Sequence, residues 1–292
     1  MVSDEAVLRT GNSCLRVRRR GAEVVAWRVG EDDLLWSAGV QWPRSSPLLF
    51  PVVGRVNDGV VRVDGRRYPM PAHGFAASQD FVPVERTETT LRLRLRDNDE
   101  TRAAYPFAFC LEALYRLGKR AVEAVFTLSN PGTRSLPYAL GLHPGFRWPF
   151  ADGEAEDYRI VFDRDEEPTV PEIDRDGLFT ETRRAIPLEG RDLPLAGDLM
   201  AREALCFLDA RSRRLRFVSP CDAAIAIETE GFAHFALWAR PPARFLCIEA
   251  WTGHGDPSGF AGELAQKPSM LLLAPGASVR HAMRWFFEGR PR

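Results

Sequence analysis

The sequence predicts an all-β protein, a large antiparallel β-sandwich, and three observations carry that expectation. The dominant hydrophobic period is two: Leu91-Arg-Leu-Arg-Leu-Arg96 puts leucines on one face and arginines on the other. Runs of this kind recur at short intervals, with turn residues between them. Helical periods are few. Strands spaced this way point to a sandwich or barrel of antiparallel sheets.

Taken in order, 60–63 and 67–70 flank Asp64-Gly65, a dipeptide suited to a tight hairpin turn. The segment 98–105 suits two helical turns, capped by Asp97 or Asn98 and stopped by Pro106. The alternating run 121–129 closes at Asn130-Pro131-Gly132, and 214–218, 223–228, 235–239, 245–250 and 269–273 continue the series. One more helical turn is expected over 261–266. The acidic, proline-containing stretch 151–203 reads as long loops. With no repeat, low-complexity tract or linker, 1–292 reads as a single domain.

Composition bounds the function. The 292 residues are 45% hydrophobic and 27% charged, with a net charge of -1. That balance leaves no electrostatic footprint for nucleic acid. The five cysteines have no Cys-x-x-Cys spacing and sit in apolar contexts, as reduced thiols do. No stretch approaches the roughly 18 apolar residues of a membrane helix. The start, Met-Val-Ser-Asp-Glu, lacks a basic-then-apolar leader pattern. A cytoplasmic monomer or homodimer, with neither nucleic acid nor membrane as partner, is expected.

Three segments offer chemistry. Phe245-Leu-Cys-Ile-Glu-Ala-Trp-Thr-Gly-His-Gly-Asp-Pro257 sets Glu249 in an apolar run beside Trp251. A carboxylate there is costly unless it is hydrogen-bonded or used. Glu249 reads either as an ion-pair partner for Arg55 or Arg240, or as a general base whose pKa desolvation raises. Gly141-Leu-His-Pro-Gly-Phe146 and Ala72-His-Gly-Phe75 each add a histidine among glycines and aromatics. His143 reads either as a core histidine satisfied by a backbone carbonyl or as a group that reaches a ligand. Phe146, Trp148 and Phe150 alternate after it and would share one face if the strand continues, a surface suited to the C–H face of a sugar ring. Arg55, in Pro51-Val-Val-Gly-Arg-Val-Asn57, is either paired with a buried acid or aimed into a pocket. His254 and Asp256 lack a third metal ligand nearby and read as loop residues. Neither a phosphate-binding loop nor a Gly-x-Ser-x-Gly elbow occurs. One carboxylate and two histidines suffice to move protons at neutral pH without a metal or organic cofactor.

Together these segments resemble the aldose 1-epimerase (galactose mutarotase-like) family, in its LacX-like branch. The matching pieces, in the family's order, are Pro47-Leu-Leu-Phe-Pro-Val-Val-Gly-Arg55, His73-Gly-Phe-Ala76, Tyr105-Pro-Phe107, Gly141-Leu-His-Pro-Gly-Phe146 and Cys247-Ile-Glu-Ala-Trp-Thr-Gly253. The resemblance implies a galactose mutarotase-like supersandwich with a shallow sugar cleft. It implies Glu249 as catalytic base, His143 as catalytic acid, His73 as the second histidine and Arg55 as the arginine that grips the sugar. Glu203 falls where the family has an aspartate for sugar hydroxyls, and Phe146 and Trp251 would line the ring. Two departures stand out: Ala77 replaces an arginine that many relatives carry, and Ala250 replaces a proline.

The activity so implied is mutarotation of a free aldohexose. The anomeric hydroxyl loses a proton while the ring oxygen gains one, with acid and base expected on opposite sides of the C1–O5 unit. Each positioned group contributes roughly 10²–10⁴-fold. The rivals are a non-catalytic carbohydrate-binding protein on the same fold, a hexose-6-phosphate epimerase, and a lyase or hydrolase on a related sandwich. Ala77 argues against the phosphate.

Overall fold

A computed structural model describes residues 4–195 and 198–289, and among them antiparallel strands dominate. The largest sheet has nine strands. Its order is Asp192–Pro194, Arg159–Phe162, Arg214–Val218, Ala224–Glu230, Ser278–Gly289, Ala121–Ser129, Cys110–Leu117, Thr90–Arg96 and Val82–Arg86. The alternation at 91–96 works as read: Leu91, Leu93 and Leu95 are buried, while Arg92 and Arg94 pair outside with Glu112. Arg116 and Arg284 meet Glu123 on that same outer face. Such exposed pairs contribute about 0–1 kcal/mol each, so the buried leucine face holds the sheet.

Against it lie a four-stranded sheet, Glu5–Thr10, Ser13–Arg18, Glu23–Val29 and Asp32–Asp33, and a six-stranded one. The latter runs Leu205–Phe207, His234–Trp238, Phe245–Trp251, Gly141–Leu142 and Leu48–Leu49, with Gly145–Arg147 also paired to Phe245–Trp251. Trp285 of the nine-stranded sheet marks where the three meet. Its ring lies 5.9 Å from Trp27 and 5.5 Å from Phe146, centroid to centroid.

Local signals behave as expected in most places. Asp64 and Gly65, both at positive φ, turn the Val60–Val63 and Arg66–Pro69 hairpin. The helix spans Asp99–Ala104 and is capped by Asn98 and Thr101, each side chain accepting from the other's backbone N–H. The helical turn expected over 261–266 is a 3₁₀ turn, Leu264–Gln266. One expectation needs correction. The 151–203 stretch is not mainly loop: two strands join the nine-stranded sheet, and Thr169–Ile173 and Phe179–Ala185 form a hairpin beside the cleft. Phe179–Ala185 is mostly exposed, so it carries little of the apolar period that betrays a strand.

Candidate active site

Register in the six-stranded sheet builds the site. Gly141 and Leu142 pair with Trp251 and Ala250, and Gly145 pairs with Cys247. Counting through the interruption at Pro144 sets His143 opposite Glu249. On the other side Ala236 faces Glu249, and Cys206 faces Ala236. Cross-strand neighbours share a face, so His143, Glu249 and Cys206 form one row.

The row opens into a cleft of about 460 Å³, lined by His73, His143, Glu249, Arg55, Glu203 and Trp251. Six of the seven residues expected from sequence therefore come together. Phe146 does not. It stands three residues beyond His143 in extended chain, hence on the opposite face, and it packs on Trp285 with no exposure. Phe150 likewise joins Tyr158 and Phe217 in the core, and Trp148 is tied to Ala155 O through its indole N–H. The aromatic walls come instead from Trp42, Trp238, Phe179 and Trp251. Trp42 and Phe179 lay in segments without a readable period, and Trp238 closes a strand read only for its core face.

Glu249 is 2% exposed and has two partners. The Trp251 indole N–H donates to its Oε2 at 3.0 Å, and its Oε1 lies 3.2 Å from His143 Nε2. Neither Arg55 nor Arg240 makes an ion pair with it among the described residues. Burial pushes the Glu249 carboxyl well above its usual range and the Trp251 hydrogen bond only partly opposes this. Burial, then the neighbouring His73, hold the His143 imidazole well below 6.5. Nδ1 of His143 has no well-aligned partner among the described residues, its own carbonyl giving weak support. The stronger partner of the His143 ring is the Glu249 carboxyl, at Nε2. Burial pushes both groups towards their neutral forms, and in contact they titrate as a pair. The two groups expected as acid and base lie side by side, 3.2 Å apart.

Around the pair, Trp42 stacks on the His143 ring at 5.2 Å, and His73 meets it edge-on at 5.6 Å. Close approach of Trp42 requires Gly145, where an added Cβ would stand 2.6 Å from the indole. His73, at φ 65°, accepts the Gly54 N–H on Nδ1 at 3.2 Å. Its proton then lies on Nε2. Burial, and next the charge of Arg55, lower its pKa to about 4, so it stays a neutral donor.

Of Arg44, Arg147 and Arg240, the further arginines that the sequence allows near the cleft, Arg44 lines it. It donates to the Ala77 carbonyl at 3.1 Å and lies 3.5 Å from buried Glu23, which takes up much of its charge. Arg147 lies outside the cleft, near Asp33. His254 and Asp256 are engaged elsewhere, with Gly255 O and with Lys267. Among the described residues no three His, Cys, Asp or Glu side chains are arranged to hold a metal ion, and no helix is long and apolar enough to cross a membrane.

A sandwich of antiparallel sheets whose six-stranded sheet carries a buried carboxylate–imidazole pair in an aromatic-lined cleft is the class of protein that the structure defines. Within that class the chain belongs to the aldose 1-epimerase family, whose model matches residues 4–284. It is 26% identical over 255 residues to the chromosomal protein LacX of Lactococcus lactis subsp. lactis, covering 83% of this chain and 85% of that one. Its structure is similar to a galactose mutarotase related enzyme from Lactobacillus acidophilus, with a TM-score of 0.89, 24% identity and coverage of 99% and 100%. A galactose mutarotase-like protein from Lactobacillus casei superposes with a TM-score of 0.90 at 24% identity, covering 97% and 100%.

Proposed function

We propose that this protein interconverts the α and β anomers of a free, uncharged aldohexose in the cytoplasm. The observation that carries this reading is the 3.2 Å contact between Glu249 Oε1 and His143 Nε2 at the foot of the cleft. In a pyranose, O1 and O5 are borne by the same carbon, so two groups side by side can serve both. Glu249 takes the O1 proton, the His143 N–H protonates O5, the C1–O5 bond breaks and C1=O1 forms. The C1–C2 bond rotates, and closure on the other face returns both protons. One proton resides on the pair before and after each step. The opposite tautomer, with Glu249 as acid and His143 as base, balances equally. His73 Nε2–H, Arg55 and Glu203 are the groups available for ring hydroxyls, and Trp251 and Trp42 for its apolar face.

Polarimetry of freshly dissolved α-glucose and α-galactose, with and without protein, tests the reading. Anomer equilibration no faster than in buffer would leave a sugar-binding protein. A second reading, a sugar 6-phosphate substrate, is favoured by the presence of Arg44 and Arg55 in one cleft. Against it, Arg44 is already engaged by Ala77 O and Glu23, and a phosphate dianion needs paired charged donors to offset its desolvation. Glucose should therefore exceed glucose-6-phosphate in kcat/KM. A preference above about tenfold for the phosphate, roughly 1.4 kcal/mol, would establish the second reading.

A further inference from the structure

A buried ion pair outside the cleft is unexplained by the chemistry above. Lys267 Nζ lies 3.0 Å from Asp256 Oδ1, with the two side chains 1% and 5% exposed. Neither atom has another hydrogen-bond partner among the described residues. A buried pair of this kind is weak support for stability, because desolvation offsets its attraction. Its other oxygen shows what it organises. Asp256 Oδ2 accepts the Asn57 N–H at 2.8 Å, and the Asp256 N–H donates to Arg55 O at 2.9 Å.

Arg55 needs such an anchor. Its guanidinium has no hydrogen bond or ion pair among the described residues, so its place in the cleft rests on its backbone and on the close packing of its side chain against Gly177, where an added Cβ would stand 2.3 Å from Arg55 Cδ. On one side Gly54 is held by His73, through the Gly54 N–H to Nδ1 and the His73 N–H to Gly54 O at 2.8 Å. On the other it lies so close to Gly255 that an added Cβ would stand 2.6 Å from the Gly255 Cα. The carbonyl of Asp256 also accepts the Phe179 N–H, which ties the overhanging hairpin to the same point.

We infer that Lys267 and Asp256 are positioning residues for the sugar: the pair locks the Asp256 rotamer, Asp256 clamps residues 55–57, and the clamp aims Arg55 into the cleft. The inference rests on the mutarotase reading for its kinetic consequence, and on geometry alone for the clamp itself.

Two measurements separate these. In the first, Lys267→Met should raise the sugar KM at least tenfold with kcat within about threefold. In an Arg55→Met background the same change should raise KM less than twofold, since the group being aimed is gone. A KM within twofold of wild type, or the same factor in both backgrounds, would overturn the inference; a merely structural loss would multiply equally in both. In the second, hydrogen exchange at the Asn57 and Asp256 amides should quicken at least tenfold in Lys267→Met, with the Glu249 strand unchanged. Unaltered exchange at both amides would overturn the clamp whether or not the wild type turns over sugar. Should Lys267→Met fail to fold because it strands a carboxylate, Asp256→Ala/Lys267→Met carries no stranded charge and enters both measurements with the same expectations. A wild type that fails to speed anomer equilibration counts against the mutarotase reading, and hydrogen exchange then decides the clamp.

Discussion

Glu249 and His143 act as one titrating unit, and their expected behaviour follows from that. Glu249→Gln keeps the shape and the Trp251 hydrogen bond but removes the proton carrier, so kcat should fall at least ~10²-fold with the fold intact; activity within about threefold of wild type would refute the role. His143→Asn should lower kcat more than it raises KM, because proton transfer belongs to the transition state. The one-proton state ends on the acid side when His143 is protonated and on the alkaline side when Glu249 ionises. Since His143 is held well below 6.5, kcat/KM should have its acid limb well under 6.5, and since Glu249 is held well above 4.5 its alkaline limb should lie well above 4.5. A limb with its midpoint near 6.5 would mean that a solvated histidine limits the reaction. Residues were legible in the sequence where a charged group interrupts an apolar run, as at Glu249, or where glycines flank a histidine. Phe146 was misplaced although strand alternation, which runs unbroken past Pro144, sets it on the face opposite His143. Trp42 was missed because it lies in an irregular loop, where nothing local signals what it will touch.

At the scale of elements, the loop that carries Trp42 sets the environment of the pair. Its indole covers the His143 ring and keeps water from it. Trp42→Ala should hydrate His143, raise its pKa towards 6.5 and shift the acid limb of kcat/KM to higher pH; a profile that does not move would show that other walls suffice. In the nine-stranded sheet 91–96, 121–129, 214–218 and 223–228 were legible by their alternation, most plainly where 91–96 splits into an apolar and a charged face, whereas Arg159–Phe162 and Asp192–Pro194 lie in the stretch read as loops. The exposed hairpin of Thr169–Ile173 and Phe179–Ala185 was not, since it buries little and is held largely by backbone pairing and by Phe179's tie to the 256–258 loop.

For the whole molecule, the chain has five histidines, and burial lowers the pKa of all of them, His73 and His234 to about 4. Unfolded histidines titrate near 6.5. As pH falls from 6.5 towards 4 the unfolded chain binds protons that the folded chain refuses, so stability is lost over that window. Each group contributes up to about 1.4 kcal/mol per pH unit there. Glu249, raised, works in the opposite direction but stands alone against five. The urea midpoint at pH 5 should therefore lie below that at pH 7.5; equal midpoints would show that the histidines are hydrated in solution. The cleft walls hold a last consequence. Trp42, Trp238 and Trp251 are three of the chain's seven tryptophans, and all three line the cleft. An arriving sugar displaces water from their indoles, and the Trp42 ring rests against an imidazole whose charge changes with pH. The protein thus carries its own optical gauge: intrinsic emission should report occupancy and protonation at the site with no label attached.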